Sequence, residues 1–217
     1  MLLCKPNING EGFHRTVYSI INISSKTRLM DCEATYVFHI PNGAYIDVDQ
    51  INTSLPHHYF IGDRFDTEEP AWSPKVKRLQ PIYFHSTRIM RKVFAFQDNL
   101  IFPIHLRYHV PIESEDGERL NNIVEINAPR VYLTCEYNKT FLDEPSCRRN
   151  IEKIPCHSSP QEKWPYFRLE SRAINSKVSM FVPVGNKDHT IIVTISTVFI
   201  VFGCVVYLIR SLLTAKS

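Results

Sequence analysis

Between residues 13 and 182, short runs of Val, Ile, Tyr, Phe and Thr alternate with Pro, Gly, Asn and Asp. That is the pattern of strands separated by turns. It predicts nine strands, near 13–24, 35–40, 44–48, 82–85, 91–96, 104–110, 122–126, 131–136 and 177–182. No comparable 3.6-residue periodicity precedes residue 190, and 14 prolines would interrupt long helices. The expected fold class is therefore all-β, an antiparallel sandwich. A charged, proline-bearing surface loop is expected over 63–77, with Trp72 anchoring it to the body.

The pattern changes at residues 190–209, TIIVTISTVFIVFGCVVYLI, twenty residues without a charge. At about 1.5 Å per residue this segment spans a hydrocarbon core of about 30 Å once. A buried soluble helix would keep a polar stripe, and this segment has no ionisable side chain of the strongly charged kind on any face. The predicted organisation is a β domain over 1–186, a transmembrane helix with its flanks over 187–210 and a short tail over 211–217. Within the span Ser196 and Gly203 are small residues seven apart, near Thr190, Thr194, Thr197 and Cys204. Small residues let a second helix approach closely, so Ser196 and Gly203 are candidate partner contacts. The alternative is a lone span whose threonines bond their own backbone.

Orientation is not set by charge, since Lys177 and Lys187 on one side face Arg210 and Lys216 on the other. Three sequons, at Asn22, Asn52 and Asn138, favour a lumenal domain. So do the cysteines outside the span, Cys4, Cys32, Cys135, Cys147 and Cys156, of which the last four are disulfide candidates of undetermined connectivity. The opening residues, MLLCKPNINGEG, have an apolar run shorter than the core of a signal peptide. A lumenal domain thus calls for a chain that starts earlier; the other reading is a tail anchor with a cytosolic domain.

Composition limits the chemistry. Twenty-five basic and 22 acidic residues give a net charge of +3 without a concentrated cationic stripe, which argues against nucleic acid. There is no Walker A loop, G-x-G-x-x-G, G-x-S-x-G or H-E-x-x-H, so no cofactor is expected. The stretch FPIHLRYHVP, 102–111, sets His105, Arg107 and His109 at alternate positions. A strand would send Ile104, Leu106, Tyr108 and Val110 inward and the three basic residues outward. Its histidines would then lie about 13 Å apart, too far to share one zinc. An outward row of donors suits a partner contact. Asp47-Val-Asp49 spells the D-x-D of metal-dependent glycosyltransferases, but two exposed carboxylates at a strand end explain it equally well.

Taken together, GFHR (12–15), IPNGAYIDVDQI (40–51), FPIHLRYHVP, SEDGE (114–118), NAPRVYLTC (127–135) and VPVG (182–185) resemble the PIG-X family in colinear order. The resemblance implies a single-pass protein of the endoplasmic reticulum membrane with a lumenal domain. It further implies a non-catalytic accessory subunit of glycosylphosphatidylinositol (GPI) mannosyltransferase I, bound to the polytopic catalytic subunit PIG-M. Two rival expectations are a cell-surface adhesion or receptor ectodomain and a glycosyltransferase using Asp47 and Asp49.

Overall fold

A computed structural model describes residues 2–113, 120–135, 151–155, 163–169 and 177–214. Among them are twelve strands: β1 (Leu2–Asn9), β2 (His14–Leu29), β3 (Cys32–Pro41), β4 (Ala44–Tyr45), β5 (His58–Ile61), β6 (Leu79–Ser86), β7 (Val93–Leu106), β8 (Asn121–Asn127), β9 (Arg130–Cys135), β10 (Ile151–Pro155), β11 (Lys163–Leu169) and β12 (Lys177–Pro183). Helix α1 spans Val48–Ser54 and helix α2 spans Thr190–Thr214. The strands form a four-stranded sheet in the order β1-β2-β7-β4 and a six-stranded sheet in the order β10-β11-β9-β3-β6-β5. A further pair joins β12 to β8. The pairings with a recorded register are all antiparallel.

The all-β prediction agrees with these sheets, and the alternation of side chains explains the core. Along β7, Asp98, Leu100, Phe102, Ile104 and Leu106 are buried while Gln97, Asn99 and Ile101 are exposed. Phe102 meets Phe38 of β3 at 5.1 Å and Phe84 of β6 at 4.8 Å, ring centre to ring centre. One apolar core therefore draws side chains from both large sheets, with Val124, Ile126, Met180 and Val182 from the β8–β12 pair. β3 is covered on both sides, because Val37 packs with Tyr132, Ile154 and Tyr83 in a second, smaller cluster.

Inside that core sits a carboxylate. Asp98, on the four-stranded sheet, accepts from the Tyr36 hydroxyl (β3) at 2.7 Å and from His58 Nε2 (β5) at 3.1 Å, both on the six-stranded sheet. Its other oxygen accepts from the Asn99 amide at 3.0 Å and faces the Arg88 guanidinium at 3.6 Å. Burial alone would push the Asp98 carboxyl up, but the bonds from His58 and Tyr36 outweigh it and hold the group below the usual carboxylate range. A second tie between distant segments is the Cys32–Cys135 disulfide, which joins β3 to β9 across a sequence separation of 103. Closing a loop of that length removes about 4–5 kcal/mol of unfolded-chain entropy.

Several expectations are corrected. The predicted strands 91–96 and 104–110 are two ends of one strand, β7. Pro103 does not break it, because β4 pairs with β7 only at Leu106 and His105, leaving the side away from β2 open at residue 103. The predicted strand 44–48 stops at Tyr45, and Asp47 caps α1 by accepting from the Asp49 amide at 3.0 Å. β1, β5, β10 and β11 were not predicted. The 63–77 loop is present without strand or helix, but Trp72 does not anchor it, since its side chain is 54% exposed.

Residues 1–109 with 123–182 form one compact unit and residues 110–122 with 183–217 another. In the second, Ile112 and Asn186 form a bridge, and Lys187 pairs with Glu113 at 3.1 Å. Asn186 caps a 3-10 turn, Lys187–His189, that runs into α2. With its flanking turn the helix is long and apolar enough to cross a membrane, and no residue of it is buried against protein.

Because the folded Asp98 carboxyl is held low, its contribution to stability is complete above about pH 4 and is lost as the pH falls through the folded value. Removing one partner of such a buried charge costs about 3–5 kcal/mol. Urea titration of the full chain in detergent should give Asp98→Ala a lower midpoint than wild type at pH 7. Asp98→Asn should flatten the acid limb below about pH 4. Identical acid limbs for wild type and Asp98→Asn would remove this role.

Candidate functional site

The stretch that carries the basic residues is the exit of β7. There β2, β7 and β4 lie side by side, so that His14 and Tyr45 both sit opposite His105. The His105 ring stacks on Tyr45 at 5.0 Å with an interplanar angle of 14°, and meets His14 edge-on at 4.6 Å. Its Nε2 bonds Gln50 Oε1 of α1 at 3.0 Å. Burial and the neighbouring His14 lower the His105 pKa against a small opposing pull from Asp47, so the ring is neutral at pH 7.

Arg107 lies one step beyond the strand. Its Nη1 donates to the Asp66 carbonyl at 2.6 Å and to the Glu69 carbonyl, and its guanidinium lies over the Tyr45 ring at 4.9 Å. The backbone continues the same work: Arg107 N–H donates to Gly43, Ala71 N–H donates to Tyr108, and the Asn42 amide donates to Ala71. A side chain on Gly43 would collide with Val124 and His109, which explains the glycine there. His109 is half-buried and donates from Nδ1 to the Arg107 carbonyl at 2.9 Å.

The expected outward row of donors does not form. His105 and Arg107 are 6% and 3% exposed, whereas Tyr108, expected inside, is 70% exposed. Val110 is likewise exposed. The alternation fails because α1 and β4 close over His105, and because the 63–77 loop needs donors for carbonyls that no strand satisfies. Arg107 supplies two such bonds, and the neighbouring Tyr108 ring rests on Phe13 at 4.9 Å.

The two aspartates are separated in role. Asp47 is engaged as the α1 cap, while Asp49 is exposed and lies 3.8 Å from Arg64. Ile46, Asp47, Val48, Asp49, Arg64 and Phe65 line a shallow cavity of about 300 Å³. No group of three or more His, Cys, Asp and Glu suited to a metal ion occurs among the described residues.

Of the remaining candidates, Cys32 and Cys135 are bonded to each other, and Cys147 and Cys156 lie outside the described residues. Cys4 is a buried thiol in the core, and burial pushes its pKa up to about 12. Asn22 is half-buried on β2 opposite Gln97, Asn52 lies in α1, and Asn138 is outside the described residues. Ser196 and Gly203 lie on an unburied helix, with nothing near the position a Gly203 side chain would take. Thr194 and Thr197 donate to the carbonyls of Thr190 and Val193 and so satisfy themselves. Asp98 with Tyr36 and His58 was not foreseen as a cluster; its signal is the lone acid in FAFQDNLIF.

Comparison with known proteins bears on what this frame serves. The family description PIG-X / PBN1 matches residues 10–213. This chain belongs to the PIG-X / PBN1 family. A human protein described as "GPI alpha-1,4-mannosyltransferase I, stabilizing subunit" is 24% identical over 209 residues, covering 94% of this chain and 76% of its own length. A rat protein of the same description is 22% identical over 200 residues, covering 89% and 75%. For this PIG-X / PBN1 member the match runs from the turn before β2 through most of α2.

Replacing Arg107 by alanine should release the 63–77 loop without unfolding the sheets. Hydrogen exchange at the Ala71 amide should accelerate, with β3 and β7 amides unchanged, and lysine should restore only part of the protection because it lacks the planar fork. Unchanged Ala71 exchange in Arg107→Ala would show that the backbone bonds suffice.

Proposed function

We propose that this chain is a non-catalytic stabilising subunit of GPI alpha-1,4-mannosyltransferase I, bound to the polytopic catalytic subunit PIG-M that adds the first mannose to the GPI precursor. Helix α2 anchors it once in the endoplasmic reticulum membrane, with the β domain in the lumen. The observation that carries this reading is the family match across residues 10–213, joined to relatives described as stabilising subunits.

The geometry supports it from the other side. Asp47 is committed to the α1 cap, and His105, Arg107 and His109 are committed to the protein's own aromatic and carbonyl groups. Of these, Arg107 serves a partner indirectly, by fixing the 63–77 loop beside the exposed Tyr108 ring. Within the membrane, Ser196 and Gly203 offer a low face on which a helix of the catalytic subunit packs closely. The Cys32–Cys135 disulfide and the sequons at Asn22, Asn52 and Asn138 suit the lumen.

Two measurements test the proposal. Endoglycosidase H treatment of the expressed chain should increase its mobility, which reports lumenal topology and early-compartment residence; a chain without glycan would contradict the topology. Ser196→Leu with Gly203→Leu should lower co-purification of the catalytic subunit while the chain stays membrane-integrated. Full recovery with this variant would move the contact away from that helix face.

A further inference from the structure

One end of the four-stranded sheet, where β2 finishes and β7 begins, is built differently from the rest. Leu29 pairs with Val93, and beyond that pair Cys32 and Met90 exchange two backbone hydrogen bonds of 3.2 and 2.8 Å. Cys32 is also held by its disulfide to Cys135. Between these two pairings stand Asp31 and Lys92, the non-glycine residues with positive φ among the described residues, at 47° and 55°. Left-handed backbone at such residues persists only where surrounding structure enforces it, and it concentrates at sites of function.

The side chains carried there are basic and aromatic. Residues 26–33 and 88–94 contain Lys26, Arg28, Arg88, Arg91 and Lys92 against only Asp31 and Glu33. Their surplus equals the +3 of the whole chain. All five cations are exposed. Arg88 is engaged by the buried Asp98 and lies over Phe96 at 5.1 Å; in the outer set of Lys26, Arg28, Arg91 and Lys92, Arg91 faces Asp31 at 3.9 Å with both side chains open to solvent. Arg28 lies over the Phe94 ring at 5.4 Å, and Phe94 is itself 51% exposed, as is Ile89, five residues earlier, at 44%. A guanidinium held over a ring keeps its forked donors available to grip a carboxylate.

We propose that this end of the domain is a docking surface for a carboxylate-bearing segment of a partner protein. Arg28, Arg91 and the neighbouring lysines would meet the acids, and Phe94 with Ile89 would meet adjacent apolar side chains. The proposal rests on the stabilising-subunit reading for there being a protein partner. A protein suits the site better than an anionic bilayer. The guanidinium fork of Arg28, held over Phe94, is a directional donor, whereas headgroup attraction needs only diffuse positive charge.

The test uses the full chain in cells lacking their own stabilising subunit, with the mannosyltransferase catalytic subunit as probe. Lys26→Glu, Arg28→Glu and Arg91→Glu are combined in one variant. Recovery of the catalytic subunit with wild type should fall between about 50 and 300 mM salt, as screening shortens the reach of the charges. The triple variant should recover about ten-fold less at low salt. A charge-preserving variant, Arg28→Lys with Arg91→Lys, should keep only part of the recovery because lysine lacks the planar fork, and an intact Cys32–Cys135 disulfide on non-reducing gels reports folding in each variant. Equal recovery by wild type and triple variant overturns the docking surface and leaves the stabilising-subunit reading intact. No recovery by wild type overturns that reading, and the docking surface with it. Loss by the triple variant of binding to phosphatidylserine vesicles, with catalytic-subunit recovery unchanged, assigns the patch to the membrane and overturns the proposal.

Discussion

The β domain depends on a buried negative charge. Asp98 stands on one sheet and is held by Tyr36 and His58 of the other, with Arg88 at the margin. An apolar core alone tolerates sliding of one sheet across another, since apolar contact is non-directional. A carboxylate that must find a hydroxyl and an imidazole at 2.7 and 3.1 Å admits only one alignment. The Phe38, Phe84 and Phe102 rings then pack in that alignment, and the disulfide fixes β3 to β9.

The same economy governs the exit of β7. Polar groups that look reactive in sequence are spent on the protein's own carbonyls, rings and helix terminus. Arg107 is a strut under a long loop, His105 is a plate between Tyr45 and His14, and Asp47 is a helix cap. What is left to face outward is a shaped surface, with Tyr108 and the loop at one end of the domain and the basic, aromatic patch at the other. A molecule arranged this way is suited to holding a partner, and family membership names the kind of assembly in which relatives do so.

The all-β class, the strand positions with long alternating patterns and the membrane-length helix were legible because each repeats one period over many residues. β1 was missed because Pro6 and Asn7 interrupt its apolar positions, and α1 because seven residues with a single buried apolar side chain, Ile51, show no period. The burial of His105 and Arg107 was not legible, since it depends on α1 and the 63–77 loop folding back from distant sequence. Asp98 was visible as a misplaced acid, but its partners lie 40 and 62 residues away and only the sheet topology brings them together. The colinear motifs made the family legible although the role of each residue in them was not.

We propose that this chain supports a mannosyltransferase without performing chemistry. Asp47→Asn with Asp49→Asn keeps a capping side chain on α1 while removing both carboxylates that a catalytic reading requires. Mannose transfer to the GPI precursor should be measured in membranes that carry this variant in place of wild type, beside the level of the catalytic subunit. The expected result is wild-type transfer at a wild-type level of that subunit. Loss of transfer with the subunit's level unchanged would contradict it.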